Sequence, residues 1–227
     1  MARRYEIMYE ENLPIPPDAY TFEGFWRWLE SDEFPESGRI DFLDGEISAD
    51  MSPENAYTHG ALKIELVMTL GELIIRTGRG DVQADSCRFR SQFASVSTEP
   101  DVMVLLKDSV ESGRVRFIPY SRYPDQVLAF EGPVDLIVEI VSNSSVGKDL
   151  KRLPLLYARA GVRELWLLDA RKDDLRFNLL TLDGDRYVPI SPDSEGWLRS
   201  PRLERSFRLT RFHQPPFPWR YRLEHRD

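Results

Sequence analysis

Apolar positions in this chain recur at two periods, and the changes between them outline its elements. In "TFEGFWRWLESD" Phe22, Phe25, Trp26 and Leu29 fall at i, i+3, i+4 and i+7, which predicts an amphipathic helix. Thr21 is placed to cap it, with Glu23 in its first turn. The Pro-rich stretch before it, Asn12–Tyr20, reads as irregular or extended. "GRIDFLDGEISADMSP" reads as a hairpin, because strand-like Ile40, Phe42 and Ile47 flank the strong turn signal Asp44-Gly45. "SPENAYTHGALKIELVMTLGELIIRTGRG" predicts the longest helix. Leu62, Leu66, Leu70 and Leu73 form its apolar stripe, and Gly78 and Gly80 end it.

Three strand-like runs follow, Val82–Arg90, Pro100–Leu106 and Val134–Val141. A long connection, Lys107 to Pro133, separates the last two. A helical stretch then runs from Asp149 to Ala160 and closes at Gly161. Pro154 is tolerable only in its first turn, so the helix start is open. "ELWLLDA" reads as a buried strand, and "DLRFNLLTLDGDRYVPIS" as a second hairpin with its own Asp-Gly turn. This order predicts an α/β (α+β) fold with a mixed central sheet flanked by helices. No Gly-rich strand-to-helix turn points to a dinucleotide fold. We expect a lead-in over 1–19, one domain over 20–212 and an arm over 213–227.

Composition narrows the class. The 227 residues are 41% apolar and 30% charged, as in globular chains and unlike disordered ones. The one cysteine, Cys87, excludes an internal disulfide or a cysteine-based zinc cluster. No segment is apolar over the ~18 residues of a membrane helix, and the start lacks an apolar signal core. A cytoplasmic protein without a membrane partner is expected. The net charge of −8 argues against binding nucleic acid through overall charge. That charge is uneven, however: residues 199–227 carry eight Arg against three acids. There arginines alternate with Phe207, Phe212, Phe217, Trp219 and Tyr221, a pattern that suits either a strand of nucleic acid or packing on an acidic body.

Glu139 sits inside the apolar run "DLIVEIV". A buried carboxylate is costly without a partner or a metal. Asp101, in "EPDVMVLL", opens another strand and is expected at its end near solvent. Lys148, Lys151 and Arg152 follow Glu139 closely. Two carboxylates on adjacent strands can hold Mg²⁺, whose bound water becomes a nucleophile, while a cation stabilises charge on a phosphate. Turn capping for Asp101, an arginine partner for Glu139 and solvation for the lysines are the structural alternatives. No G-x-S-x-G elbow supports a serine hydrolase.

The chain resembles the Uma-two family of endonucleases, in the PD-(D/E)xK nuclease superfamily. The matching pieces come in family order over roughly residues 20 to 212: "YTFEGFWRWL", "RIDFLDGEISADMSPENAYTHGALKIEL", "EPDVMVLL", "DLIVEIVSNSSVGKDLKRLPLLYARAGVRELWLLDAR" and "GDRYVPI". The fourth is the most specific. The resemblance implies a restriction-endonuclease-like fold, with Asp101 and Glu139 as metal-binding carboxylates for Mg²⁺ or Mn²⁺. It also implies a nucleic-acid substrate, DNA first. The superfamily's lysine lies two residues after the glutamate, where this chain has Val141. The family's own place is four residues before Tyr157, where it has Leu153. Lys151 is the first candidate to supply the cation, then Lys148, then Arg152.

His59, one turn before the leucine stripe, is a further catalytic candidate beside a structural role. Asp41, Glu46, Glu65 and Glu72 are weaker metal-site candidates, and Ser142 and Ser144 are expected to shape the loop. A Mg²⁺-dependent endonuclease is the leading reading, and a homodimer would suit cutting two strands. A catalytically inactive binding module, motivated by Val141, Leu153 and the charge, and a metal-dependent hydrolase of a non-nucleic substrate stand as alternatives.

Overall fold

The computed structural model describes residues 13–227. A 3₁₀ turn, Pro17–Tyr20, leads into α1, Phe22–Leu29. Thr21 caps α1 as its spacing predicts, its hydroxyl accepting from the Gly24 amide at 3.0 Å. The first hairpin is β1 (Arg39–Leu43) and β2 (Glu46–Asp50), turned by Asp44 and Gly45 at positive φ. The expected long helix is shorter and begins differently. Asn55 caps a wide π-helical turn, Ala56–Gly60, which carries His59, and α2 continues over Ala61–Ile74. Gly80 does not end the helix. It opens β3 (Gly80–Ala84), where a Cβ would meet the Leu105 carbonyl oxygen at 2.1 Å.

The run read as one strand, Val82–Arg90, is two. Asp85 and Ser86 take positive φ and turn the chain, so β3 and β4 (Arg88–Ser91) join different sheets. The long connection is also ordered. After β5 (Val96–Thr98) and β6 (Val102–Leu106) it forms α3 (Lys107–Glu111), β7 (Arg116–Pro119) and β8 (Val127–Glu131). Then come β9 (Leu136–Ile140), a second π-helical turn (Lys148–Arg152) and α4 (Leu153–Ala160). The strands β10 (Glu164–Asp169), β11 (Arg176–Asp183) and β12 (Arg186–Pro189) follow. Last are β13 (Leu198–Ser200), β14 (Arg205–Gln214) and β15 (Phe217–Arg226).

The architecture is α+β with mixed sheets flanked by few helices. Instead of one central sheet there are two of six strands, ordered β2-β1-β5-β4-β8-β7 and β12-β11-β10-β9-β6-β3, plus a three-stranded β13-β14-β15. Strand alternation divides the core. Leu136, Val138 and Ile140 of β9 pack with the α2 leucines, Trp166 and Phe207. Ile137 faces the other way, toward Leu153, Leu156 and Tyr157 of α4 and Phe89 of the first sheet. The segment expected as an arm is strand β15, paired along β14. Among the described residues no helix is long and apolar enough to cross a membrane.

Candidate metal and nuclease site

β6 and β9 are antiparallel neighbours with Val102 opposite Val138. Continued by one residue, that register sets Asp101 opposite Glu139, so two acids share one face of the sheet. Asp101 is not near solvent. It is buried, its Oδ2 accepts from the Ile140 amide at 2.7 Å, and three cations surround it. Arg39 approaches Oδ1 at 3.1 Å, Lys63 approaches Oδ1 at 3.3 Å, and His59 Nε2 approaches Oδ2 at 3.3 Å. Burial raises the Asp101 carboxyl, but His59 and Arg39 outweigh it and hold the group below the usual carboxylate range.

Glu139 has the opposite environment. Its Oε1 accepts from the Tyr157 hydroxyl at 2.5 Å. Burial and then the charges of Asp101 and Asp149 push its pKa well up. One acid is thus held ionised while its cross-strand neighbour favours its proton, which is how two like charges share a small volume. Asp149 is a third acid in this cluster. It is buried, accepts from Ser145 Oγ through Oδ2, and leaves Oδ1 without a partner among the described residues. Burial pushes it up to about 6 against the pull of Lys148.

His59 lies between two carboxylates. Its Nδ1 is 3.0 Å from Glu54 Oε2, with the ring N–H not squarely aimed, and its Nε2 faces Asp101. Burial disfavours the imidazolium, yet Asp101 and Glu54 lift its pKa to about 9. Glu54 is correspondingly lowered to about 2, chiefly by His59. Glu54, His59 and Asp101 bring ligand atoms within 4.8 Å of one another, a spacing that can hold a metal ion. Because His59 turns its two nitrogens to different carboxylates, it would have to lose a proton to serve as a ligand. A cavity of about 290 Å³ is lined by Arg39, Asp50, Glu54, His59, Ser142 and Ser144, and it reaches Asp101 through its partners Arg39 and His59 rather than through the acid itself. Ser144 Oγ donates to Asp50 Oδ2 at 2.7 Å and ties the loop after β9 to β2.

The model of the Uma2 family, described as "putative restriction endonuclease", matches residues 22–211. The chain belongs to the Uma2 family. Among solved structures, the chain is similar to a crystal structure of "a putative nuclease belonging to DUF820" from Anabaena variabilis, with a TM-score of 0.59 and 16% sequence identity. The match covers 81% of this chain and 90% of that one, and at that identity it shows a shared fold. No curated protein matches the chain.

In this Uma2 chain the two usual lysine places are core positions, since Val141 and Leu153 are both buried. Lys151, the first candidate from sequence, is exposed. Arg152 turns to Glu46 at 2.7 Å and to the Leu43 carbonyl. Lys148 is the one of the three directed inward, its Nζ 2.8 Å from Asp41 Oδ2. The physical reason is the π-helical turn, in which the Leu153 amide donates to the Lys148 carbonyl. That i+5 closure sets Lys148 nearly above Leu153, so its long side chain reaches the acids from one turn earlier.

Asp41 is buried and, despite burial, held low by Lys148, with Arg88 and Arg39 further off. Glu46 is exposed. Glu65 caps the β15 backbone by accepting from the Leu223 amide at 2.9 Å, and Glu72 pairs with Arg76 on the surface. Sequence reasoning missed Arg39, Glu54, Lys63 and Asp149 as site residues. Lys63 had a weak signal: it directly follows Leu62 of the apolar stripe, and a lysine that ends up buried needs acids around it.

Proposed function

We propose that this protein is a metal-dependent endonuclease that hydrolyses phosphodiester bonds, with DNA the first substrate to test. The observation that carries the reading is the register of β6 and β9, which sets Asp101 opposite Glu139, with the Asp101 partners Arg39 and His59 lining a polar cavity. The donor set fits a hard divalent cation such as Mg²⁺ or Mn²⁺: carboxylate oxygens, one of them on a group whose pKa is raised by burial and then by the neighbouring acids Asp101 and Asp149. Asp101 and Glu139 would hold the ion. When bound, it would supply Lewis acidity toward a phosphate and its attacking water.

The chain's own cations have distinct places. Lys148 stands over Glu139 on the α4 side and serves as the nuclease lysine, stabilising charge on the phosphate. Arg39 and His59 line the cavity, where Arg39 can anchor a phosphate oxygen and His59, protonated, can deliver a proton to a leaving oxygen. The test is cleavage of supercoiled and single-stranded DNA with Mg²⁺ or Mn²⁺. Glu139→Gln should lower cleavage by about 100-fold or more while keeping the fold. Cleavage untouched by this change would overturn the reading.

A second reading has its own observation. Asp101 is already neutralised by His59, Arg39 and Lys63, as in a site that binds without chemistry. Calorimetry with Mg²⁺ or Mn²⁺ separates the two, because a binding module would take up DNA and no ion.

A further inference from the structure

The β14–β15 hairpin carries more cations than its fold requires. Tyr221 and Leu223 point into the core, so strand alternation sends Arg220 and Arg222 to the opposite face. Phe212 lies across from Arg220, and Thr210 across from Arg222. The arginines differ along the hairpin. At its base Arg208 pairs with Glu224 at 2.9 Å, and Arg226 pairs with Asp193 and Glu195 at 2.6 and 2.7 Å. Toward the tip, Arg220 and Arg222 have no carboxylate partner among the described residues. Arg220 instead lies over the Phe217 ring at 4.1 Å and Arg222 over Phe212 at 5.6 Å, and both rings are exposed.

Two sets of contacts hold the hairpin near the ends of β9 and β10 and the turn that carries His59. Arg211 donates to the carbonyls of Ala170 at 3.0 Å and Asp173 at 2.6 Å, just beyond the end of β10. β10 runs parallel to β9, so this is the edge at which Glu139 and Ile140 end their strand. On the other side β15 touches the π-helical turn that carries His59. Residues 199–227 hold a net +5 in a chain of −8. Two cations of that segment unpaired among the described residues, Arg220 and Arg222, lie on the hairpin half that Arg211 ties to the end of β10.

We propose that the outer face of this hairpin, through Arg220, Arg222, Phe212 and Phe217, binds the nucleic-acid strand next to the cleft. The arginines take its phosphates and the rings stack on unpaired bases. The occupant is named on the strength of the nuclease reading; the surface rests on charge and geometry. It explains how an acidic protein holds a polyanion: local unpaired arginines hold the strand where overall charge does not. Exposed rings beside cations suit single strands, because every base offers a stacking face.

The test is fluorescence anisotropy of short labelled single-stranded and duplex DNA on the full chain in EDTA, over a salt series. The variants are Arg220→Gln/Arg222→Gln, Phe212→Ala and Arg122→Gln, each checked by thermal unfolding for an intact fold. The double arginine variant should bind about tenfold more weakly or worse, with a log–log salt slope shallower by about 1.5. Phe212→Ala should weaken single-strand binding more than duplex binding. Arg122→Gln, an exposed cation paired with Asp32 outside the site, should bind like the parent.

Unchanged affinity in the double variant overturns the surface, and if metal-dependent cleavage survives beside it, the nuclease reading stands alone. Weakened binding with no cleavage by the parent chain leaves the surface and removes the nuclease. No binding by the parent chain to either DNA overturns the surface.

Discussion

Lys148 and Lys151 are three residues apart and equally cationic, yet their surroundings give them different weights. Lys148 is the ion-pair partner of buried Asp41, so Lys148→Ala leaves a carboxylate without compensation. Removing one partner of a buried pair costs about 3–5 kcal/mol. Urea unfolding should show that loss, and Asp41→Asn in the same chain should recover much of it. Lys151→Ala, at an exposed position, should shift stability by less than about 0.5 kcal/mol and leave DNA cleavage unchanged. His59 makes a second prediction. Its pKa is raised from 6.5 to about 9 by Asp101 and Glu54. The stabilisation this gives is fully present below pH 6.5 and is lost as pH rises through 9, on the order of 3 kcal/mol in all. NMR titration of the His59 ring should find the raised pKa, and His59→Gln should flatten the fall in stability between pH 7 and 9. Saturating Mg²⁺ should lower that pKa by competing with the imidazolium for Asp101. A ring titrating near 6.5 without metal would contradict the clamp.

At the scale of elements, the two π-helical turns carry the site's side chains. One holds His59 before α2, and the other holds Lys148 before α4. A wide turn changes helical register, so each places a polar side chain over the strand ends while the helix behind it keeps its apolar stripe on the core. Pro154 fits this arrangement in the first turn of α4, where its missing N–H costs nothing. The far end of α4 is closed by Gly161 at φ +80, with Pro133 Cβ 3.3 Å from the place of a Cβ. Gly161→Ala should cost about 1–2 kcal/mol in denaturant unfolding, since a left-handed residue with a side chain is strained and the added methyl is tight. Tyr157 and Lys148 belong to the same α4 unit, so the loss should appear as a lower melting temperature, with cleavage kept well below it.

For the whole molecule, an ion that binds only the folded chain must raise its melting temperature with concentration. Mg²⁺ should do so for the parent chain and not for Asp101→Asn/Glu139→Gln, and chelation should reverse it. The sequence by itself determined the helices and hairpins whose signals are local: the leucine stripe of α2, the Thr21 cap, and the Asp-Gly turns. It also singled out Glu139, because an acid inside "LIVEIV" contradicts its neighbours. It pointed less well to Asp101, expected near solvent, and to Lys148, ranked behind Lys151. It was silent on Arg39, Glu54, Lys63 and Asp149. Those four are ordinary charged residues in their local windows, and their roles arise from elements distant in sequence: Arg39 meets Asp101 across 62 positions. The tertiary structure alone decided that meeting, the split of one apolar run between two sheets, and the docking of the basic hairpin on the end of β10 through Arg211. The physical reason is range. Periodicity, caps and turns act over a few residues along the chain, whereas charge compensation in a buried cluster acts through space, between strands whose register the chain sets only when it is folded.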